Sequence, residues 1–279
     1  MSVPSFSGVP PRDHPVPAPI REAARGLAIV PVWANEVGGA TFRLGDGPGA
    51  RYAKWAPTGS GPDLAGEAAR MRWAGGRVTV PRGTVPSITV PRVLDLGSDD
   101  DGAWLVTAAL PGEMAVSERW LGEPATAVRV IGEALRAFHD ALPVADCPFS
   151  ASAEERVAEA LRNADNRADR ALHSDYRHLG GMAEALKRVA DIPPVDRLVV
   201  CHGDTCAPNT LLTPDGRFAG HVDLGDLGVA DRWSDLAIAT WSTTWNYGAG
   251  WERPLLDAYG IDPDPERTEY YRLLWEVGP

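Results

Sequence analysis

Three residues with oxygen-bearing side chains lie close together in one short part of the sequence. Asp204 belongs to the segment Cys-His-Gly-Asp, Asn209 follows it five positions later, and Asp223 lies fourteen positions beyond Asn209. Carboxylate and amide oxygens suit Mg²⁺, and a further carboxylate can orient a hydroxyl group for attack on a phosphate. The pattern therefore indicates metal-assisted phosphoryl transfer, in which a protein mainly positions groups and neutralises charge.

The flanking residues predict strands that bring these side chains to one place. Short apolar runs predict strands at Leu198–Val200, Thr210–Leu212 and Phe218–Val222. Pro214 and Gly216 predict a turn between the second and third, because Pro fixes φ and Gly tolerates positive φ. Taken singly, Asp204 and Asn209 are more typical of turns and caps, but the complete spacing favours the catalytic interpretation.

The sequence resembles the aminoglycoside phosphotransferase family, and within it the 3'-phosphotransferase branch. The resemblance rests on VVCHGDTCAPNTLL, GHVDLGDLGVADRWSDLAIA, YGI and YYRLLWE, which occur in that order, and it covers most of the chain after about Val37. It implies an α+β, bilobal, protein-kinase-like fold with a small β-rich N-terminal lobe and a larger helical C-terminal lobe. It also implies that Asp204 is the catalytic base or hydroxyl-orienting group, that Asn209 and Asp223 hold Mg²⁺, and that ATP or GTP is the donor.

The N-terminal half predicts a nucleotide-binding lobe. Ala40–Leu44 and Arg51–Trp55 predict two strands joined by a Gly-rich turn, and Lys54 lies on the second. Glu67 follows in Leu64–Trp73, whose apolar residues are spaced as in a helix. A strand lysine held by a helix glutamate is the kinase device for contacting the α- and β-phosphates, which we predict for Lys54 and Glu67. A solvated strand lysine is the alternative.

Two further segments are candidates for the nucleotide site. Gly38 and Gly39 precede the first strand and allow a backbone to approach phosphates closely. Ala103–Thr107 predicts a strand, and the resemblance implies that Ala108 and Leu110 after it belong to the hinge that binds the adenine edge. Between these segments, repeated Val-Pro pairs within residues 80–96 predict extended chain.

The second half predicts helices at Ala125–Leu142, Glu154–Ala171 and Met182–Ala190. His139 lies beside the apolar face of the first and is more typical of a structural than a catalytic histidine. Asp231 and Asp235 follow the Asp223 strand and could cap helices. The resemblance implies that Asp235 braces the catalytic loop.

Length and composition agree with two lobes. A chain of 279 residues with 44% hydrophobic residues suits two cores of unequal size. We predict a disordered Pro-rich tail over residues 1–20, a nucleotide-binding lobe over 21–107 and a catalytic and acceptor-binding lobe over 108–279.

Net charge indicates which partners are expected, and cysteine content indicates the cellular compartment. A net charge of −11 disfavours nucleic acid and anionic membranes and favours a cationic small molecule. No apolar run approaches the ~20 residues that span a bilayer, and no signal peptide is evident. Three cysteines without paired spacing indicate the reducing cytoplasm.

The predicted acceptor site departs from the family pattern. Family members that bind aminoglycosides carry an Arg where this chain has Asp226, and they carry acids where it has the stretch Trp241–Gly248. Of the acids near the family's C-terminus, Glu276 alone remains. Candidate acceptor contacts are therefore Glu276, Asp226, Trp241, Trp245 and Trp275. Tryptophans offer stacking and cation–π contacts in place of carboxylates, unless they simply fill the core.

Several functions remain open at this point. The leading interpretation is a small-molecule kinase acting on an aminoglycoside, and the first alternative is a kinase of another hydroxylated antibiotic or metabolite. A weaker alternative is a nucleotide-binding module without turnover, and the presence of Asp204 argues against it because such a module has no need of a base. A hydrolase using Cys201, His202 and Asp204 would require neighbouring side chains on one strand end to converge, which is poor geometry.

Overall fold

The computed structural model describes residues 8–35, 37–77, 89–167 and 170–278, and these form two compact units. The first contains the chain up to Arg77 and Thr89–Pro111, and the second begins at Gly112. An antiparallel sheet dominates the first unit and helices dominate the second, which confirms the predicted α+β class. The Val-Pro pairs at Val80 and Val85 lie outside the described residues.

The first unit is a five-stranded antiparallel sheet with a helix on each face. Its elements are α1 (Ala18–Ala24), β1 (Ile29–Ala34), β2 (Ala40–Leu44), β3 (Arg51–Pro57), α2 (Leu64–Arg77), β4 (Val93–Ser98) and β5 (Gly102–Ala108). The strand order is β1-β2-β3-β5-β4. Ala53 packs with Ile20 of α1, whereas Ala56 packs with Ala68 of α2. Because side chains alternate along β3, Lys54 shares the α2 face with Ala56.

The second unit combines short strands with a helical core. Its strands are β6 (Glu113–Met114), β7 (Leu198–Cys201), β8 (Thr210–Leu212), β9 (Phe218–His221) and β10 (Gly228–Asp231). Its helices are α3 (Glu118–Gly122), α4 (Pro124–Ala141), α5 (Ala153–Arg162), α6 (Ala164–Arg167), α7 (Met182–Val189), α8 (Trp233–Tyr247), α9 (Glu252–Tyr259) and α10 (Pro265–Val277). Strands β7 and β10 pair with each other, and β8 lies between β6 and β9.

Helix α8 forms the centre of the second unit's core. Its residues from Trp233 to Thr243 are all buried, and its neighbours include α9 and α10. Helix α4 presents the predicted apolar face, including Val128, Ile131 and Phe138, and packs against α9. The packing of α8 against α9 and α10 holds α8 in place, and α8 supports the loop between β7 and β8.

Several predicted boundaries differ from the structure. The expected disordered tail does not extend through residues 8–20, because Gly8 pairs with Ala34 and Ile20 of α1 is fully buried. The helix predicted for Glu154–Ala171 ends at Arg162, since the following Asn163 leaves helical geometry. The third predicted strand ends at His221 instead of Val222.

No helix in the described ranges is both long and apolar enough to cross a membrane.

Candidate active site

The segment between β7 and β8 turns sharply at Gly203. Its φ is +91°, and a Cβ built there would collide with the backbone carbonyl of Asp226. Only glycine fits both conditions. The close approach brings the loop after β9 against the residue that precedes Asp204.

Asp204 and Asn209 are joined by direct hydrogen bonds. Asn209 Nδ2 donates to Asp204 Oδ2 at 2.9 Å and to the Asp204 backbone oxygen at 3.0 Å. With its nitrogen held in this way, the amide of Asn209 has its oxygen left as the atom able to ligate a cation. Asp204 Oδ1 is buried and has no hydrogen-bond partner among the described residues. A buried acceptor in this state is costly unless another group satisfies it.

The surroundings of Asp204 increase its basicity. Partial burial raises the pKa of Asp204, and the negative charge of Asp223 adds to the rise, whereas the nearby Cys206 thiol opposes it. A carboxylate with a raised pKa accepts a proton more readily, which suits a group acting on a hydroxyl.

Asp223 lies in a loop that is tied to Asn209. It follows β9 with φ +64°, an uncommon conformation for a residue other than glycine. The preceding Val222 donates its N–H to the backbone oxygen of Asn209 at 3.0 Å, and His202 Nε2 lies 2.9 Å from the Val222 oxygen. The two oxygen ligands predicted for Mg²⁺ are thus carried by hydrogen-bonded backbone segments. Their chemistry, one amide oxygen and one carboxylate, fits a hard cation.

Asp235, near the start of α8, holds the loop between β7 and β8 through hydrogen bonds to its backbone. Its Oδ2 accepts the N–H of His202 at 2.7 Å, and its Oδ1 accepts the N–H of Gly203 at 2.9 Å. The Thr205 hydroxyl also donates to its backbone oxygen at 2.7 Å. The predicted bracing contact therefore forms. Burial alone would raise the pKa of Asp235, but hydrogen bonds from His139 and the loop hold it below its usual value.

His139 connects this brace to α9. Its ring nitrogens lie 3.0 Å from Asp235 Oδ2 and 2.9 Å from the Tyr259 hydroxyl, and the side chain is fully buried. His139, Cys201 and Asp235 are close enough together to share a metal. Their existing hydrogen bonds and complete burial identify a structural network. His139 thus has the structural position expected from the sequence.

The cysteine hydrolase alternative has no support at this site. Cys201 is completely buried, and burial raises its pKa well above the ordinary value. Its thiol donates to the Asp231 backbone oxygen. A thiol held in its protonated form is a poor nucleophile.

The first unit contains the predicted lysine–glutamate pair. Lys54 Nζ on β3 lies 2.7 Å from Glu67 Oε1 on α2, and the Glu67 side chain is 5% exposed. Burial of one partner makes this contact more than a surface ion pair. The glutamate fixes the position of the ammonium group.

The other predicted nucleotide residues lie at turns of the same unit. Gly39 donates its N–H to the Asn35 side chain at 2.6 Å, and Gly38 has φ +88°. Ala108 ends β5 and donates to the Arg92 oxygen, and Leu110 lies two residues further on. Hydrogen bonds to Asn35 therefore stabilise the turn that contains Gly38 and Gly39.

The predicted acceptor residues divide into buried and exposed positions. Glu276 is buried, and its Oε1 accepts the His173 N–H at 2.9 Å, so its carboxylate has a structural contact that the sequence did not indicate. Asp226 is exposed. Trp241 is 2% exposed, as the core-filling alternative expects, whereas Trp245 is 41% exposed and Trp275 is partly buried. A cavity of about 530 Å³ is lined by residues that include Asp175, Glu252 and Arg272, and none of the predicted site residues lines it.

Sequence reasoning missed two supports of the catalytic segment. Arg156 of α5 donates to the Gly203 oxygen at 3.3 Å, and Ser242 Oγ of α8 accepts the Ala207 N–H at 2.8 Å. Neither residue type is unusual on a helix, and both contacts depend on tertiary packing, so no sequence signal was available.

Comparison with known proteins agrees with these features. Residues 33–271 match the phosphotransferase enzyme family. The aminoglycoside 3'-phosphotransferase of Streptomyces fradiae is 39% identical over 238 residues, covering 81% of this chain and 84% of that protein. The streptomycin 3''-kinase of Streptomyces griseus is 34% identical, covering 94% of this chain and 97% of that kinase.

A solved structure extends the similarity to the fold. APH(3'')-Id from Streptomyces rimosus, in complex with ADP and streptomycin, superposes with a TM-score of 0.68 at 31% identity, covering 85% of this chain and 90% of that protein. The α+β fold expected from the resemblance is confirmed. The chain belongs to the phosphotransferase enzyme family, among its aminoglycoside phosphotransferases, and is a kinase that uses an alcohol group as acceptor.

Proposed function

We propose that this kinase transfers the γ-phosphate of ATP or GTP to a 3'- or 3''-type hydroxyl of an aminoglycoside in the cytoplasm, and thereby confers antibiotic resistance. The observation that carries the proposal is the state of Asp204. One of its carboxylate oxygens is fixed by Asn209, and the other is buried without a partner among the described residues. An acceptor hydroxyl would supply the missing donor.

Asp204 then orients the acceptor hydroxyl and receives its proton as the oxygen attacks the γ-phosphorus. Its raised pKa supports this role, because a more basic carboxylate takes the proton more readily. Asp235 and Arg156 keep the backbone on either side of Gly203 in place during the step. They act on the loop and do not touch the acceptor.

Asn209 Oδ1 and the Asp223 carboxylate would hold Mg²⁺. The ion, when bound, neutralises charge on the phosphates of the nucleotide. The fit rests on two hard oxygen donors and on the hydrogen bonds that join their loops.

Nucleotide binding is assigned to residues 21–107 and acceptor binding to 108–279. Lys54, held by Glu67, would contact the α- and β-phosphates. Gly38 and Gly39 would cover the phosphates, and the backbone at Ala108 and Leu110 would contact the adenine edge.

A second candidate is a kinase of a hydroxylated compound other than an aminoglycoside. The observation in its favour is the burial of Glu276, which removes one of the few acids predicted to bind amino sugars. Both candidates share the same chemistry at Asp204 and differ in the acceptor.

An ADP and GDP release assay separates the candidates. The enzyme is supplied with Mg²⁺, either nucleotide, and a panel of kanamycin, neomycin, streptomycin, other hydroxylated antibiotics and common metabolites. Acceptor-dependent release with an aminoglycoside supports the first candidate. Release only with another class transfers the assignment to the second, and release that no acceptor stimulates contradicts both.

A further inference from the structure

The last turn of α8 contacts both ends of the short turn that carries Asn209. This turn, Ala207–Asn209, is a single turn of 3₁₀ helix with Pro208 at its centre, and the Asn209 N–H donates to the Cys206 oxygen at 2.9 Å. Proline fixes φ and has no N–H, so the turn has little freedom to adjust internally. A shift at either end of the turn therefore moves Asn209 with it.

Ser242 of α8 holds the first end of the turn. Its Oγ accepts the Ala207 N–H at 2.8 Å, and Ser242 and Ala207 are each 1% exposed. A buried N–H that loses its acceptor destabilises the arrangement that leaves it unpaired. The position of Ala207 therefore depends on the Ser242 hydroxyl.

Asn246, one helical turn after Ser242, orients this hydroxyl. Its Nδ2 donates to Ser242 Oγ at 3.1 Å and to the Ser242 backbone oxygen at 2.8 Å. A hydroxyl oxygen has two acceptor lone pairs, and the N–H groups of Ala207 and Asn246 use both. Asn246 thus acts on the turn through Ser242.

Tyr247 holds the second end of the turn. Its hydroxyl donates to the Ala115 oxygen at 2.8 Å, and the Ala115 N–H donates to the Thr210 oxygen at 2.9 Å. Thr210 follows Asn209 directly and begins β8. Two consecutive residues of α8 therefore reach opposite ends of the segment that contains Asn209.

We propose that Ser242, Asn246 and Tyr247 are positioning residues that set the affinity of the Asn209 site for its divalent cation. The inference rests on the proposed function, because it requires Asn209 Oδ1 to ligate the cation. Each of the three side chains acts on the backbone that carries Asn209. Mg²⁺ requires near-ideal octahedral geometry, so its affinity falls when one ligand oxygen is displaced.

The test is a titration of the whole enzyme with Mn²⁺ in the presence of ADP, in which the free ion is counted by electron paramagnetic resonance. Mn²⁺ takes the same oxygen ligands as Mg²⁺. Ser242→Ala removes the acceptor of the Ala207 N–H, Asn246→Ala removes the donor to Ser242, and a double variant removes both. Tyr247→Phe removes only a hydroxyl group.

Tyr270→Phe is the matched control for Tyr247→Phe. The Tyr270 hydroxyl also donates to a backbone oxygen, that of Val189 at 2.9 Å, and this contact joins α10 to α7. Its removal should leave the Mn²⁺ affinity within about twofold of wild type, because no step of the proposed path passes through it.

We expect Ser242→Ala and Tyr247→Phe each to weaken Mn²⁺ binding by about tenfold. ADP binding without a divalent cation should change by less than about twofold, since the nucleotide itself is not contacted. Excess Mg²⁺ should restore most of the lost kcat, which a general loss of structure would not allow. Asn246→Ala should have a smaller effect, and the double variant should bind Mn²⁺ as Ser242→Ala does, because Asn246 acts through Ser242.

Unchanged Mn²⁺ affinity in Ser242→Ala and Tyr247→Phe would overturn the proposal, and so would an equal loss of Mn²⁺ binding and of metal-free ADP binding. Tyr247→Phe keeps the test decisive if Ser242→Ala does not fold. A wild type that binds no Mn²⁺ beside ADP would contradict both this inference and the proposed function. The expected pattern of Mn²⁺ affinities without phosphate transfer to any acceptor would contradict the proposed function and leave the positioning role standing.

Discussion

The two carboxylate oxygens of Asp204 have different environments. Oδ2 is held by Asn209, whereas Oδ1 is buried and lacks a partner among the described residues. The sequence predicted the pair, since the five-residue spacing is local and follows from one short turn. It could not predict that the Asn209 nitrogen would face Asp204, because amide orientation depends on the folded loop.

Asp204→Asn should reduce phosphate transfer by roughly 10³-fold, within the usual range for a general base. Nucleotide affinity should stay within about twofold, because the amide keeps the shape of the side chain. ADP release and calorimetric ADP binding measure the two effects. Asp215→Asn, on the exposed turn after β8, is the matched control and should leave both unchanged. Comparable activity in wild type and Asp204→Asn would remove this residue from the chemistry.

His221 should make stability depend on pH. Burial lowers its pKa from 6.5 to about 3, and the neighbouring His202 adds to the decrease. The folded protein therefore keeps the ring neutral while the unfolded chain takes up a proton below about pH 6.5. Folding stability is therefore lost progressively as the pH falls from about 6.5 towards about 3.

His221→Phe should remove that dependence, because a phenyl ring does not titrate and the site is bordered by Phe138 and Phe218. Between about pH 6.5 and 5.5, wild type should lose about 1 kcal/mol more unfolding free energy than the variant. Denaturant unfolding at both pH values measures the difference, and His178→Gln, at an exposed position, is the control. Parallel losses in wild type and His221→Phe would show that His221 does not titrate as described.

Glu276 shows where residue-level prediction fails. Its position near the C-terminus suggested an acceptor contact, but α10 turns the carboxylate inward to the His173 N–H. A single acidic residue carries no signal of its burial. The burial of Glu276 is decided by the packing of α10 against α8 and by the hydrogen bond from His173.

At the scale of elements, the loop after β7 depends on α8. Asp235 accepts both loop N–H groups and also contacts His139, which joins α8 to α4 and, through Tyr259, to α9. The resemblance identified Asp235 as the brace. Tyr259 could not be placed in the same network from the sequence, because it lies on α9 and Asp235 lies on α8.

Asp235→Asn should lower kcat by about tenfold or more while the KM for ATP changes little, because the loop bearing Asp204 loses a charged acceptor for two N–H groups. Its lowered pKa means that the charge stabilises the fold above the unfolded carboxyl pKa, and this contribution disappears as pH falls through the folded value. The melting temperature of the variant should therefore fall at neutral pH and approach wild type in acid. Asp140→Asn, a partly exposed acid of α4, is the control. An unchanged kcat would show that the brace is dispensable for positioning.

The contact between β3 and α2 was the most predictable tertiary feature. Residue spacing predicted the strand and the helix, the kinase device predicted that Lys54 and Glu67 pair, and the ion pair forms at 2.7 Å. Gly39 was less predictable, since its bond to Asn35 depends on turn geometry.

Glu67→Gln should raise the KM for ATP by about tenfold, because Lys54 loses the charge that fixes it. The KM for the acceptor should remain within about twofold. Steady-state kinetics with each substrate varied in turn measures both values. Glu22→Gln on the exposed side of α1 is the control. A rise confined to the acceptor KM would contradict the assignment of this pair to the nucleotide.

For the whole molecule, the resemblance predicted the α+β class, and length and composition agreed with two units but did not predict where one unit ends and the next begins. The structural division falls after Pro111 instead of Thr107, and Gly8 already pairs with Ala34. Proline content suggested a longer tail, but Pro17 precedes α1 and Pro19 lies in its first turn, where proline is well tolerated. The same residue type therefore supports a helix start that composition alone cannot distinguish from disorder.

The proposed function depends on transfer of a phosphoryl group to an acceptor hydroxyl with Asp204 as the essential carboxylate. The most direct measurement follows label from γ-³²P ATP into streptomycin and kanamycin with wild type and Asp204→Asn in parallel. We expect labelled aminoglycoside with wild type and almost none with the variant. Label that appears only as inorganic phosphate, or equal labelling of the acceptor by both proteins, would contradict it.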